Sequence, residues 1–406
     1  MMRNKKGYKK RIAFILPEGG LPIPAVMGGA IETLMTMLLE ENEVHGRFQL
    51  IFIFSGEMSE KKYYKHAVCY ECKPEIKINS LYKLKKKLWY KMGRYFPIMF
   101  PPVSEYYQKA YEIAKSEKAD YIVAEGIYPS FLVGFLRNWK KDAIAMHIHS
   151  EIVRKAEHVD IYGKAIAVSQ FIAERWKKDI PDTLEDTFIL KNSVKKERFD
   201  IDLNKEELER IRKELGFCKT DFIVLYCGRL LEIKGVKELL DAVLGIEDKT
   251  VKLLIIGSDD FARGNRGEYA SEVINLVEMN KNRVCYLGYI DNEQLYKYYK
   301  IADIQVVPSL CEEAAGLVAI EGMVAKIPLI VTDSGGMVEY VNPEYTSIIT
   351  RKETMVEDLK KEIVRLMMSP GRRQIMSSGA YEWAKQFSSQ KYYQDFSKII
   401  AEWSNV

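Results

Sequence analysis

At 406 residues the chain exceeds what one hydrophobic core usually serves, so its length predicts two domains of about 200 residues with a cleft between them. Hydrophobic residues make up 47% and charged residues 29%, a globular balance that excludes a disordered or membrane-embedded chain. With 61 basic against 57 acidic residues the formal charge is +4, too even for a protein devoted to nucleic acid.

The basic start, residues 1–11, leads into an apolar run at 12–16 that imitates a signal peptide, but Pro17 and Glu18 end the run too early. No stretch reaches the roughly 18 apolar residues of a spanning helix, which predicts a soluble, cytoplasmic protein. A loop rich in Gly and Pro (17–29) separates the first run from helix-forming residues at 30–39, giving strand, loop, helix. Further apolar runs at 50–54, 121–124, 143–146 and 165–168, with a helical segment at 104–117, predict a parallel sheet covered on both faces. Residues 83–96 mix six cations with aromatics and read either as a solvated helix face or as a contact with an anionic membrane, the inner face in particular.

The pattern restarts after a polar stretch around 192–198. A helical pattern at 203–215 precedes apolar runs at 222–226, 252–256, 284–287, 304–307 and 329–331, so a second α/β domain is expected. The predicted division is 1–195, 196–380 and a C-terminal segment 381–406 packing back toward the first domain. Residues 381–403 read as one aromatic helix with Phe387, Tyr392, Tyr393, Phe396 and Trp403 as core anchors. The six cysteines are scattered, as in a reducing compartment. Cys69-Tyr70-Glu71-Cys72 has metal-site spacing, but no second pair or suitably spaced histidines follow, and no metal site is expected.

Two segments carry candidate chemistry. After the run at 304–307 come Glu313 and Glu321, eight residues apart and bracketing Ala314, Ala315, Gly316 and Leu317 at a helix start. Small residues let a ligand approach the backbone, helix-start amides favour phosphate, and carboxylates accept hydrogen bonds from sugar or ribose hydroxyls. Each glutamate alone reads as an ordinary helix residue, one complementing the helix dipole and the other solvated. The second segment, Gly228-Arg229-Leu230-Leu231-Glu232-Ile233-Lys234-Gly235, follows the strand run 222–226 and puts two cations where a parallel sheet binds ligands. A planar guanidinium and a point charge suit a diphosphate, although surface cations are the commoner case.

Together these segments resemble glycosyltransferase family 4. G-R-L-x-x-x-K-G at 228–235, E-x7-E at 313–321 and P-x-[IV]-x-x-x-x-G-G-x-x-E at 328–339 occur in order within about 110 residues. Residues 21–30, the stretch 143–151 with His149, Ala167-Val168-Ser169, and Asn192-Ser193-Val194 with Phe199 are similar to further family elements, the first of them in bacterial spore-coat and cell-surface polysaccharide members. The resemblance implies the α/β fold called GT-B, two Rossmann-like domains with parallel sheets facing across a cleft, the donor on the second domain and the acceptor on the first. It implies a retaining, metal-independent transfer from a UDP- or GDP-sugar, with no cofactor, to a glycan or lipid-linked acceptor in polysaccharide or spore-coat glycan synthesis. By motif, Arg229 and Lys234 would hold the diphosphate, Glu321 the ribose, and Glu313 the donor sugar. Amides at Ala315, Gly316 and Leu317 would complete the phosphate cradle, Gly288 and Tyr289 would lie near the base, Gly28 and Gly29 beside the diphosphate, and His149 near the anomeric carbon. His147, two residues earlier on a strand, would share the face of His149.

Four positions depart from the pattern: Ala315 for a common aromatic, Gly322 for alanine, Ser193 for glycine and Ser389 for tryptophan. Asp200-Ile201-Asp202 spells the D-x-D of metal-dependent transferases but falls in the linker, where it reads as coincidence. The competing functions are a nucleotide-sugar 2-epimerase, which would carry other acid and base residues, and a non-catalytic carbohydrate-binding structural protein.

Overall fold

The structure, a computed structural model, describes residues 9–25, 29–56, 58, 62–72, 88, 92, 104–126, 139–151, 161–179, 187–258 and 267–404. The chain divides into two compact units, Met1–Lys191 with Tyr393–Val406, and Asn192–Tyr392. Each is built on a parallel sheet, as the alternation of runs requires.

The first unit's strands are β1 (Arg11–Ile15), β2 (Gln49–Phe54), β3 (Ala67–Glu71), β4 (Tyr121–Glu125), β5 (Ile144–Ile148), β6 (Lys164–Ala167) and β7 (Thr187–Ile189), in the order β3-β2-β1-β4-β5-β6-β7. Its described helices are α1 (Ala30–His45), α2 (Glu105–Ser116) and α3 (Gln170–Asp179). The second unit holds α4 (Lys205–Glu214), β8 (Phe222–Cys227), α5 (Val236–Leu244), β9 (Val251–Ile256), α6 (Glu268–Met279), β10 (Val284–Tyr286), α7 (Leu295–Ile301) and β11 (Ile304–Val307). It continues with α8 (Leu317–Val324), β12 (Leu329–Thr332), β13 (Thr346–Ile349), α9 (Met355–Met367) and α10 (Pro370–Ala384), and α11 (Ser389–Trp403) starts within it. Its sheet order is β10-β9-β8-β11-β12-β13.

Central strands are buried on both faces and are therefore continuous apolar runs, β8 being buried at all six positions. Three of the four edge strands, β3, β7 and β13, have no such run because one face stays accessible, and the sequence pattern misses them. Strand order reverses direction between β1 and β4 and between β8 and β11. Loops leaving the carboxyl ends at such a reversal diverge and open a crevice, the place where doubly wound sheets bind ligands.

The single helix expected over 381–403 is broken. α10 ends at Ala384, a 3-10 turn spans Lys385–Phe387, Ser388 is extended, and α11 begins at Ser389. The break is held by the linker, since the Val194 amide donates to the Phe387 carbonyl at 3.0 Å and Val194 bridges Ser388. The aromatic anchors consequently divide. Phe387 packs on Tyr340 in the second unit, with ring centroids 5.2 Å apart. In the first unit Phe396 lies against Phe14 (5.7 Å) and Phe48 (5.9 Å), the Tyr393 hydroxyl donates to Asn42, and Trp403 donates to the Asp142 carbonyl. Burying each such ring contributes about 1.5–3 kcal/mol, which fastens the chain end to the first unit.

The D-x-D in the linker is an ion-pair cluster. Asp200 accepts from Tyr381 and pairs with Lys196 and Lys326, and Asp202 lies 3.8 Å from Lys326. Residues 83–96 lie outside the described residues apart from Leu88 and Met92. Among the described residues no helix is long and apolar enough to cross a membrane.

Gly322, where the resemblance expects alanine, has a local cause. A Cβ there would fall 1.8 Å from Oε1 of Gln305, a fully buried β11 residue whose amide donates to the Val318 carbonyl. Gly322→Ala is therefore expected to destabilise the protein by about 1–3 kcal/mol. In a Gln305→Ala background the same change should become neutral or favourable by up to about 1 kcal/mol, because alanine is the better helix former. Urea unfolding of the four proteins measures the cycle.

Candidate functional site

In the second unit the three motifs converge where β8, β11 and β12 end. β8 runs into the glycine turn carrying Arg229 and then a 3-10 turn, Glu232–Lys234, closed by Gly235 in the left-handed conformation (φ 69°). Only glycine fits there, since a Cβ would lie 2.0 Å from the Pro308 carbonyl oxygen. The two loops are also stitched by backbone, the Leu310 and Cys311 amides both donating to the Ile233 carbonyl (2.9 and 3.2 Å).

That close approach brings Lys234 Nζ within 2.5 Å of Glu313 Oε1, with the side chains 17% and 16% exposed. Ser309 donates to the same oxygen. The third motif closes on Glu313 from the other side: its amide donates to Ser334 Oγ (3.0 Å) and its carbonyl accepts from the Gly336 amide (2.7 Å). Sheltered pairs of this kind are costly to break from one side, because the remaining charge is left uncompensated. Arg351, which the sequence motifs do not flag, props the loop by bonding both oxygens of Glu312 and also Asp333.

Past Glu313 the chain turns at Gly316, also left-handed (φ 83°), into α8, whose first turn has no side-chain cap. The amides there face outward from a helix start, the arrangement that favours an anion. Ala315 is buried, and Glu321 sits in the second turn of α8. Tyr299 donates to Glu321 Oε2 at 2.9 Å. An edge of the residue stays accessible, yet burial of the carboxyl pushes it up to about 7, against the hydrogen bond from Tyr299 and the charge of Arg198. Gly288 (φ 70°) follows β10, and its carbonyl accepts from the Gly257 amide at 2.7 Å. The Tyr289 hydroxyl beside it is buried without a hydrogen-bond partner among the described residues.

In the first unit Gly29 precedes α1, and the Glu32 carboxylate folds back from the first turn to accept from the Leu21 amide at 2.9 Å. Gly28 lies outside the described residues. His149 stands just past β5, and the expected pairing with His147 holds, the ring centroids lying 4.1 Å apart. Sequence reasoning missed the group that organises them. Glu125, the last residue of β4 and fully buried, is contacted by His147 Nδ1 at 2.9 Å and His149 Nε2 at 2.7 Å. The available signal was an acidic residue closing an apolar strand run. Burial alone would raise the Glu125 carboxyl, but the two imidazoles outweigh it and hold it down to about 2. Burial, reinforced by His147, pushes His149 down to about 4.

Residues 207–383 match the profile of a family described as glycosyl transferases group 1. The chain is 31% identical over 203 residues to an uncharacterized glycosyltransferase of Methanocaldococcus jannaschii, covering 49% of this chain and 50% of that relative, so the match spans half the relative's length. It is 25% identical over 264 residues to a lipopolysaccharide 1,2-N-acetylglucosaminetransferase of Salmonella typhimurium, 64% of this chain and 67% of the relative. In fold it is similar to Anabaena HepE, solved in complex with UDP and glucose, with a TM-score of 0.70 and 18% identity over 97% of this chain and 100% of the other. The motif resemblance and the GT-B fold class drawn from the sequence both hold.

The shifted Glu321 carboxyl has a consequence for stability. Its folded value, about 7, stands above the ordinary 4.5, so between the two the folded protein binds the extra proton. The resulting stabilisation is complete below about pH 4.5 and is lost as pH rises through 7. Urea unfolding at pH 5 and pH 8 should show a larger loss of stability for the wild type than for Glu321→Gln, which has no proton to release.

Proposed function

We propose that this chain, whose residues 207–383 match the glycosyl transferases group 1 profile, moves a sugar from a nucleoside diphosphate donor to a glycan or lipid-linked acceptor, with retention and without a metal. The observation that carries the reading is the meeting of Lys234, Glu313 and the Gly336 amide at the carboxyl ends of three adjacent strands. Cation, carboxylate and helix-start amides lie on loops whose backbones are bonded to one another, so charge developing on a ligand meets groups already in place.

In this reading Arg229 and Lys234 hold the diphosphate, and the amides of Ala315, Gly316 and Leu317 take its remaining oxygens. The bond from the anomeric carbon to the phosphate oxygen breaks, the bond to the acceptor oxygen forms on the same face, and the departing phosphate takes the acceptor's proton. Lys234 and Arg229 neutralise the charge left on the diphosphate, the work a metal ion does elsewhere. Glu313 orients Lys234 until the diphosphate arrives and then contacts the sugar. Glu321 accepts from the ribose hydroxyls in its ionised form, Gly288 and Tyr289 border the base, and Gly28 and Gly29 flank the diphosphate. His149 receives the sugar or acceptor.

A UDP-sugar is the favoured donor, in line with the UDP and glucose in the Anabaena complex, and GDP-sugars are the alternative. Cell-surface polysaccharide synthesis, as in the Salmonella relative's name, is the favoured setting. The cations of 83–96 suit a cytoplasmic protein that visits an anionic membrane carrying the acceptor. Lys85, Lys86 and Lys87 changed together to Ala should then lose binding to anionic liposomes, and unchanged binding would remove the membrane from the account.

Assay against UDP-, GDP- and ADP-sugars should find one donor that yields free nucleotide and transferred sugar. With that donor, Lys234→Ala should lower kcat about a hundredfold or more, and Glu321→Ala should raise the donor KM about tenfold. Release of no nucleotide from any donor, or full turnover by Lys234→Ala, would refute the assignment.

A further inference from the structure

The buried cluster at the carboxyl edge of β4 and β5 has more definition than a transferase reading requires. The Glu125 carboxylate has no exposure, His147 is 1% exposed, and the His149 side chain is 10% exposed. An ionised carboxylate only accepts hydrogen bonds, so the nitrogens touching it, His147 Nδ1 and His149 Nε2, must carry the protons. One carboxylate thereby orients both rings and fixes the tautomer of any neutral one. In a neutral ring the nitrogen left over is a bare lone pair, and His147 Nε2 and His149 Nδ1 are both buried without a hydrogen-bond partner among the described residues. A buried acceptor without a donor is unfavourable and marks a position where a ligand's donor belongs.

A cation is the obvious rival occupant, since the three side chains can bring one ligand atom each within 4.8 Å of one another. Metal ligation works against the rest of the geometry, however. A metal-bound imidazole carries its proton on the far nitrogen and almost always donates it to an acceptor. Neither far nitrogen has an acceptor among the described residues. Hydrogen-bonded to Glu125, His149 instead presents an acceptor, and its low value keeps it a neutral imidazole at neutral pH.

We infer that Glu125 is a positioning residue that holds His149 as a neutral imidazole with its Nδ1 lone pair ready to accept from a sugar hydroxyl, so that this strand edge takes a neutral, hydroxyl-bearing sugar and not a uronic acid. The inference rests on the proposed sugar transfer for the identity of its ligand. A carboxylate on the sugar would bring no donor to Nδ1 and would meet the buried charge of Glu125 across a medium that screens poorly.

The chain has five histidines, so selective nitrogen-15 labelling gives a readable spectrum. At neutral pH, long-range nitrogen–proton correlation should show His149 with a protonated Nε2 and a bare Nδ1. Glu125→Gln keeps the shape but offers one acceptor oxygen and an NH2 donor, and it should mix the tautomers of at least one imidazole. Its kcat with a neutral-hexose donor should fall about a hundredfold, the scale of a misplaced contact near the reacting centre. UDP binding measured by calorimetry should be unchanged, which shows that the variant is folded. Wild-type protein should use the neutral-hexose donor in preference to the corresponding uronic-acid donor. A proton on Nδ1 of wild-type His149, unchanged tautomers in Glu125→Gln, a preference for the uronic acid, or stoichiometric zinc in the purified protein would each overturn the inference. Should the protein transfer no sugar at all while the tautomers behave as described, the positioning role stands and the transferase reading falls.

Discussion

The close approach of two loops, one leaving β8 and the other leaving β11, is the constraint on which the second unit's site depends. It is possible because strand order reverses between β8 and β11, which places the ends of two strands distant in sequence side by side. Gly235 then lets the first loop press against the Pro308 carbonyl, and the Ile233 carbonyl receives two amides from the second. Lys234 and Glu313, seventy-nine residues apart, meet as a consequence. Their pairing is the fold's resting solution for two charges sheltered from water, and under the proposed function a diphosphate would offer Lys234 a second anionic partner.

The first unit settles its own buried carboxylate with imidazoles. Its reversal lies between β1 and β4, and the carboxylate closing β4 is Glu125. Two imidazoles from the neighbouring strand β5 and the residue after it satisfy that carboxylate with N–H donors. The cluster therefore presents a buried carboxylate and the unpartnered Nδ1 of His149 among the described residues, where the second unit's loop carries cations and helix-start amides. One edge is suited to hydroxyl donors and the other to phosphate acceptors.

Much of this was legible in the sequence, and the reasons differ from element to element. Central strands such as β8 could be read because burial on both faces demands an unbroken apolar run, whereas the half-exposed edge strands β3, β7 and β13 leave no such mark. Glycines at 235 and 316 stood inside the motifs, but the left-handed backbone each adopts shows only in the structure. The break at 385–388 was not legible, since it is set by Val194, a residue nearly two hundred positions away, and local helix pattern runs straight through it. Arg351 and Glu125 were missed for the same reason. A prop and a positioning carboxylate show only once the sheet has brought their partners alongside, and Gly322 made sense only with Gln305 beneath it.

The central claim is that Lys234 and its loop hold a nucleoside diphosphate without a metal ion. Calorimetric titration of UDP and GDP into the wild-type protein and Lys234→Ala, both in excess chelator, tests it most directly. The account predicts that one nucleotide binds the wild type at one site per chain and that Lys234→Ala weakens this binding about tenfold or more. Binding that appears only when a divalent ion is restored, or that Lys234→Ala leaves unchanged, would contradict it.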